Sequence, residues 1–138
     1  MRVYLPAKET DLELLRSKGA DLPGRQGFAL LSDWAALQAN QDPEVLEHQL
    51  LVMAGQASLA NSAYGRRLVL VAEVNASLVD SKAALVAVNG VTSDQILAMF
   101  ADDLANGQAI LAGQNPDELD LTWFGPSEIL EILDFLGT

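Results

Sequence analysis

The most apolar stretch of the chain is the run RRLVLVAEV at residues 66–74. Six of the seven residues from Leu68 to Val74 are apolar. A run this short and this apolar predicts a strand that is buried on both faces. We therefore expect it in the middle of a sheet, with helices or a second layer packed on each side.

Shorter apolar runs predict the other strands of the sheet. They lie at Met1–Leu5, Phe28–Leu31, Ala83–Val88 and Leu119–Phe124. Three segments between the apolar runs are predicted to be connections because of their Pro, Gly, Asn and polar content. These are the loop Leu22–Gly27, the polar connection Asn75–Lys82 and the turn Asn89-Gly90.

The segment Ile96–Asp103 is ambiguous. Thr92 and Gln95 just before it have the spacing of a capping box, which predicts the start of a helix. The apolar residues that follow could continue this helix or form a strand that ends at Asp102-Asp103. We expect a short helix followed by a strand.

Caps and periodic apolar residues predict five helices. The longest begins at Asp42-Pro43, because Asp caps a helix and Pro is tolerated in its first turn. Its apolar stripe runs from Leu46 to Tyr64 at i+3 and i+4 spacing, and Gly65 ends it. The others are a helix with Thr10 and Glu13 in capping-box spacing that ends near Lys18-Gly19, Asp33–Ala39 capped by Ser32, Leu104–Ala112, and a last helix from Gly125-Pro126 to Gly137.

These elements predict an α+β fold. We expect residues 1–138 to form a single domain, with a mixed sheet of about five or six short strands and helices packed on it. The strands and helices do not alternate strictly, so a doubly wound α/β fold is the second choice. The chain length suits one domain with an ordinary core.

The charge is distributed very unevenly. The chain has 19 acidic and 8 basic residues, for a net charge of −11. Residues 83–138 carry nine acidic residues and no lysine or arginine. Such a chain repels phosphate backbones and anionic membranes, so we predict no binding to nucleic acid or to membranes. The acidic half is either a solvated surface or a docking face for a basic partner or for cations.

The two ends of the chain resemble those of a known family. The chain begins MRVYLPA and closes with DLTWFGPSEI. In these segments it resembles small uncharacterised actinobacterial proteins that begin MRVYVPAT and close with a sequence like LLWYAPQEL. It departs from that pattern at Lys8, where the family has Thr, and at Phe124-Gly125, where it has Tyr-Ala. The resemblance implies a strand around Met99 and a cytoplasmic location, and it implies no activity, because none is known.

Several chemistries are excluded by the residues that the chain lacks. It has no cysteine, so disulfides and thiolate chemistry are excluded, as suits a cytoplasmic protein. It has no transmembrane-length apolar run and none of the G-x-S-x-G, G-x-G-x-x-G or Walker motifs. Because MRVYLPAKETD lacks the long apolar core and the small-residue cleavage site of a signal peptide, we expect none there. The single histidine, His48, is either an exposed helical residue or a base oriented by Glu44 or Glu47. We predict no catalytic residue and no cofactor.

Two acidic clusters are candidate cation ligands. One is NPDELD, with Asp117, Glu118 and Asp120, and the other is Asp102-Asp103. Hard cations bind such carboxylates, but the spacing matches no EF-hand. Acids at a helix start also favour the helix dipole, which explains the second cluster. We therefore predict no metal site.

Four residues remain as candidate ligand-binding groups, namely Arg67, Glu73, Tyr4 and Trp123. Arg67 could bind an anion or pair with a nearby acid, and Glu73 could lie in a cleft or mark the point where the central strand reaches solvent. Tyr4 and Trp123, with Phe124, could line an apolar cleft or belong to the core.

Two classes of function follow. The first is a cytoplasmic, non-enzymatic interaction or regulatory module, which forms a homodimer or binds a protein partner through the acidic C-terminal half. The second is a small-molecule-binding protein or carboxylate-based enzyme with a cleft near Glu73 and Arg67. The first is favoured because no recognisable catalytic set is present.

Overall fold

A seven-stranded antiparallel sheet forms the centre of the protein. The computed structural model describes residues 1–17, 21–62 and 65–137. The strands are β1 (Arg2–Pro6), β2 (Leu22–Phe28), β3 (Leu68–Glu73), β4 (Ser77–Asp80), β5 (Leu85–Val91), β6 (Ile96–Ala101) and β7 (Thr122–Phe124). Their order in the sheet is β4-β5-β2-β1-β3-β6-β7, and every neighbouring pair is antiparallel.

The α+β prediction is confirmed, with differences in the sheet. It has seven strands rather than five or six, and it is antiparallel rather than mixed. The doubly wound alternative is therefore wrong, because that fold needs a mostly parallel sheet.

The predicted central strand is β3. It pairs with β1 on one side and with β6 on the other. Its side chains alternate between two hydrophobic clusters, so that Leu68 and Leu70 point to one face of the sheet and Val69 and Val71 to the other. Five of its six residues are buried, as the apolar run predicted.

Helices pack on both faces of this sheet. They are α1 (Glu9–Arg16), α2 (Ser32–Ala36), α3 (Pro43–Ala60), α4 (Leu104–Leu111) and α5 (Ile129–Leu136). Leucines of α1 and Ile132 of α5 bury the face that carries Leu70. Trp34 of α2 and Leu46 and Leu50 of α3 bury the face that carries Val71, which we call the α3 face.

The prediction of a loop at Leu22–Gly27 is wrong, because this segment belongs to β2. Both of its glycines are needed where β2 lies against its neighbours. A Cβ on Gly24 would lie 2.7 Å from the carbonyl oxygen of Val88, and one on Gly27 would lie 2.7 Å from Cγ1 of Val3. The glycines therefore mark close approach in a sheet and not a turn.

Two further predicted connections belong to strands. The polar segment Asn75–Lys82 contains β4, an edge strand whose four residues are all exposed. Asn89-Gly90, predicted as a turn, lies inside β5. Because β4 is exposed, it lacks the apolar alternation by which a strand is recognised. The strand predicted at Phe28–Leu31 keeps only Phe28, and the one at Leu119–Phe124 is shortened to β7.

The ambiguous segment is resolved as a 3-10 turn at Ser93–Gln95 followed directly by β6. The backbone N–H of Thr92 donates a hydrogen bond of 2.9 Å to Oε1 of Gln95, as the capping-box spacing predicted. The expected short helix followed by a strand is therefore confirmed.

The helix starts are confirmed in part. Asp42 caps α3 by accepting a 3.0 Å hydrogen bond from the N–H of Glu44. The helix α1 begins earlier than predicted, with Asp11 accepting a 2.9 Å bond from the N–H of Lys8 in place of the Thr10–Glu13 box. The predicted end at Lys18-Gly19, and Tyr64 of the predicted α3 stripe, lie outside the described residues.

Candidate functional site

The α3 face of the sheet is covered unevenly. The helix α3 packs on β1, β2 and β3, whereas the helices of the described ranges make few contacts with β6 and β7 on this face. The consequence is an open groove of about 330 Å³ beside α3. We call it the β6–β7 groove, and its apolar residues are Tyr4, Leu51, Val71, Leu97, Ala98 and Phe100, with Trp123 at its margin.

Strand register places these side chains on one face. Phe100 and Trp123 are directly opposite each other across β6 and β7. Opposite residues of an antiparallel pair point to the same side, so Trp123 extends the floor that Phe100 forms. A register irregularity between Val71 and Ala72 adds Leu97 to the groove. Trp123 is 58% exposed and Leu97 is 40% exposed.

One end of the groove is polar and carries one positive and one negative side chain. Arg2 and Glu47 form an ion pair there with an N–O distance of 3.4 Å, and the exposed His48 lies beside them. Tyr4 is buried next to this pair. The pKa of Tyr4 is raised, chiefly by burial and then by the negative charge of Glu47, while Arg2 acts in the opposite direction. Tyr4 is therefore a neutral hydroxyl at physiological pH.

The other end is bordered by an acidic segment, residues 115–120, which we call the acidic loop. Its three carboxylates, on Asp117, Glu118 and Asp120, belong to exposed residues. Asn115 accepts a 3.1 Å hydrogen bond from the N–H of Asp117 and begins a 3-10 turn. Asp120 lies three residues before Trp123, so negative charge borders the exposed aromatic end of the groove.

A buried arginine holds the acidic loop in place. Nη1 of Arg67 donates to the carbonyl oxygen of Pro116 at 2.9 Å, and its Nη2 donates to that of Leu119 at 3.0 Å. Nε and Nη2 also bind the two carboxylate oxygens of Asp102 at 2.9 and 2.8 Å. Nδ2 of Asn106 adds a 2.7 Å bond to the carbonyl oxygen of Asp120. The loop's backbone is thus fixed from beneath while its carboxylates face solvent.

The structure separates Arg67 from Glu73. Arg67 precedes β3 and Glu73 ends it, so six residues of extended chain place them about 20 Å apart. Arg67 is buried against Asp102, whereas Glu73 is 59% exposed and binds the N-terminal amine at 2.9 Å. These two residues do not share one cleft mouth.

The structure brings Tyr4 and Trp123 to the same face of the sheet. Tyr4 lines the groove at the polar end, and Trp123 borders it at the acidic end. Phe124 points to the opposite face, where its ring packs edge-on against Phe135 with centroids 5.0 Å apart. The two aromatic candidates therefore belong to one surface, and Phe124 belongs to the core.

Sequence reasoning missed three residues of this region. Leu97 and Phe100 lie in the segment whose strand assignment was ambiguous, so their face was unknown. Asp102 was interpreted as a helix-start acid, but Asp103 has that role, accepting a 2.6 Å bond from the N–H of Asn106. One signal was available, because an antiparallel pairing of the two apolar runs places Asp102 beside Arg67.

The described residues contain no cluster of three or more carboxylate or histidine side chains that could hold a metal ion. Within residues 1–17, 21–62 and 65–137, no helix has the length and apolar character needed to cross a bilayer.

The fold and groove define a small antiparallel α+β protein with an incompletely covered sheet face. Residues 1–133 match the family of unknown function DUF6912, and the chain belongs to that family. This agrees with the resemblance of its two ends to an uncharacterised family. No curated protein and no solved structure matches the chain.

Proposed function

We propose that this protein is an interaction module that binds a protein partner through the β6–β7 groove. The observation that carries the proposal is the row of Leu97, Phe100 and Trp123 on strands that α3 contacts little, in which Leu97 and Trp123 are exposed and Phe100 is half-buried. A contiguous apolar surface of this kind, bordered by polar groups, is typical of protein-binding sites. Tryptophan is also among the residues that contribute most to binding energy at interfaces.

The shape of the groove favours a protein over a small metabolite. Small-molecule sites are enclosed, with volumes of about 300–1,000 Å³ and a few convergent polar groups. This groove is at the low end of that range and open to solvent, and the charged residues that line it, Arg2 and Glu47, are at one end. An extended apolar surface with charged ends suits a protein segment. We expect the module to act in the cytoplasm, since its sequence has no cysteine.

A second copy of the chain is a less favourable partner. Each copy has a net charge of −11, so self-association brings together two strongly negative surfaces. We therefore expect the isolated protein to be monomeric at micromolar concentration and to bind a different protein.

The test uses variants that each replace one exposed apolar side chain with serine. The tagged protein, Trp123→Ser, Leu97→Ser and the control Leu78→Ser are each used to capture partners from native lysate. Leu78 is 65% exposed on β4, at the opposite edge of the sheet. A captured protein is identified, expressed on its own, and titrated against all four baits after circular dichroism shows that each is folded.

We expect both groove variants to weaken binding of the purified partner at least about tenfold, with a loss of about thirtyfold or more at a hot spot, and Leu78→Ser to leave binding unchanged. The proposal is overturned if the groove variants bind the partner as well as the native protein does. It is also overturned if no partner is captured and the protein sediments as a monomer.

A further inference from the structure

We infer that the occupant of the β6–β7 groove is an amphipathic helix with basic residues beside its apolar stripe, lying over β6 and β7 next to α3. This inference rests on the proposed function and specifies the chemistry of the partner. It follows from three properties of the groove, namely its width, its depth below α3 and the charge at its end.

The width of the uncovered sheet corresponds to one helix. Neighbouring strands are about 4.8 Å apart, so β6 and β7 together present a floor about 10 Å wide. An α-helix with its side chains has a diameter of about 10–12 Å. On the same face α3 already covers the strands up to β3, so the floor of β6 and β7 offers one vacant helix position.

The length of the floor sets the length of the helix. The strand β6 has six residues and is therefore about 20 Å long. A helix rises about 1.5 Å per residue, so about 13 residues span this floor in three to four turns. Such a helix presents its apolar stripe to Leu97, Phe100 and Trp123, and one side of it to Leu51 of α3.

An added strand fits this surface less well than a helix. A strand would have to pair with β7, the edge strand, which offers three residues. It would extend the sheet sideways and leave the floor of β6 exposed beside α3. A helix covers the floor itself, which is where the exposed apolar side chains are.

The charge of the surroundings selects a basic partner. The acidic loop places the exposed residues Asp117, Glu118 and Asp120 near the Trp123 end of the groove. The Arg67–Asp102 row that holds this loop is two residues along the strands from the row of Phe100 and Trp123, which is about 7 Å.

The half of the sequence that carries these carboxylates supplies no lysine or arginine to pair with them, because residues 83–138 contain neither. The backbone of the loop is held by the hydrogen bonds from Arg67 and Asn106, so the segment that carries these charges is in place before a partner arrives. Lysines or arginines at one end of the docked helix complement them.

The test uses three synthetic peptides of about 16 residues that differ in one property each. The first has leucines at i, i+3 and i+7 spacing with flanking lysines on an alanine background. The second replaces the lysines with glutamates. The third keeps the lysines and leucines but has a central proline, which breaks the helix. Each carries a fluorophore, and its binding to the native protein is followed by fluorescence anisotropy.

The peptides are also titrated against two variants with equal changes of net charge. Asp117→Asn/Glu118→Gln removes two of the three carboxylates of the acidic loop, and Glu131→Gln/Asp134→Asn neutralises two exposed acids on α5. Trp123→Ser reports whether the peptide occupies the groove. Because both double variants change net charge by the same amount, a difference between them reports a local contact and not general attraction.

We expect the lysine peptide to bind at least tenfold more tightly than the other two, with its binding lost in Trp123→Ser. The loss of two loop carboxylates should weaken binding of the lysine peptide about three- to tenfold, as two partly screened charge contacts do, and the α5 double variant should have a clearly smaller effect.

Failure of this inference is distinguishable from failure of the proposed function. If the glutamate or proline peptide binds as tightly as the lysine peptide, or if the two double variants weaken binding equally, the basic-helix inference is overturned. A purified natural partner that still depends on Trp123 and Leu97 would then leave the proposed function standing. If neither peptides nor partner depend on those residues, both are overturned.

Discussion

Arg67 and Asp102 form a buried bidentate ion pair, with Nε–Oδ2 and Nη2–Oδ1 distances of 2.9 and 2.8 Å and side-chain exposures of 4% and 0%. Oδ2 of Asp102 also accepts a 2.7 Å hydrogen bond from the backbone N–H of Arg67. The pair joins the start of β3 to the end of β6. Through Pro116 and Leu119 it also determines where the acidic loop lies.

Replacing Asp102 with asparagine should destabilise the protein by about 3–5 kcal/mol, because it leaves the Arg67 guanidinium buried without its counter-charge. Urea unfolding followed by circular dichroism measures this loss. Asp103→Asn is the matched control, since asparagine caps a helix as well as aspartate does and should change the stability by less than about 0.5 kcal/mol. A loss below about 1 kcal/mol for Asp102→Asn would show that the pair is not the central contact we describe.

The parts of the fold that the sequence predicts are those whose signals are local. The buried run of β3 and the Asp42-Pro43 start of α3 depend on residues adjacent in the chain, and both are confirmed. The strands β2 and β4 could not be predicted, because their conformation depends on partners far away in sequence. Gly27 has no strand propensity of its own, and it is in a strand because Val3 and Leu5 of β1 lie against it.

The groove could be predicted to a smaller extent. Tyr4 and Trp123 were predicted as candidate binding residues because they are aromatic residues at strand ends, and both border the groove. Pairing of Arg67 with an acid was one of its two predicted roles, but its partner was not identified, because Asp102 is 35 residues away and was assigned to a helix start. The groove itself exists because α3 packs on β1, β2 and β3 and contacts β6 little. No local sequence pattern predicts which strands of a sheet a helix will cover.

Ser58 joins α3 to β3 and to the residue that follows β1 through one buried hydroxyl. Its Oγ donates to the carbonyl oxygen of Ala7 at 2.8 Å and accepts from the N–H of Leu68 at 3.0 Å. Ser58→Ala leaves that buried N–H and carbonyl without these bonds, so the free energy of unfolding should fall by about 1–3 kcal/mol. Denaturant titration against the exposed control Ser93→Ala, which should be near neutral, checks this. Equal stabilities of the two variants would contradict it.

Asp11 and Arg25 should make the stability depend on pH in the acidic range. Burial alone raises the pKa of Asp11, but hydrogen bonds from Arg25 and from the N–H of Lys8, with their charges, outweigh it. The pKa of Asp11 is therefore below its usual 3.8. A depressed native pKa contributes stability above the unfolded value, and this contribution is lost as the pH falls through the native value.

The measurement is the free energy of unfolding of the native protein and of Asp11→Asn from pH 7 down to pH 2. The native protein should be more stable at pH 7, and the difference should shrink once the pH falls below about 4. Glu13→Gln, which removes the exposed ion pair with Arg16, should differ by less than about 1 kcal/mol throughout. A difference for Asp11→Asn that stays constant down to pH 2 would rule out the assigned role of its carboxylate.

Tyr4 should titrate above pH 10. Its pKa is raised from 10.0 by burial and by the charge of Glu47, so ionising it requires placing a second negative charge beside the first. Because the native pKa lies above the unfolded one, Tyr4 contributes stability below about pH 10 that is lost as the pH rises through the native value. Absorbance at about 295 nm in a Tyr64→Phe background reports the ionisation of Tyr4, since tyrosinate absorbs there and the background removes the second tyrosine. Circular dichroism at each pH verifies the fold.

Glu47→Gln should lower the pKa of Tyr4, because it removes the repelling carboxylate and releases Arg2 from its ion pair with Glu47. His48→Gln is the matched control, since it changes the neighbouring residue of α3 at the same end of the groove and leaves the Glu47 carboxylate in place. If Tyr4 titrates at or below pH 10 in the folded native protein, the polar end of the groove is more open to water than the structure shows. A partner helix covering the groove should raise the pKa of Tyr4 further by removing water from it.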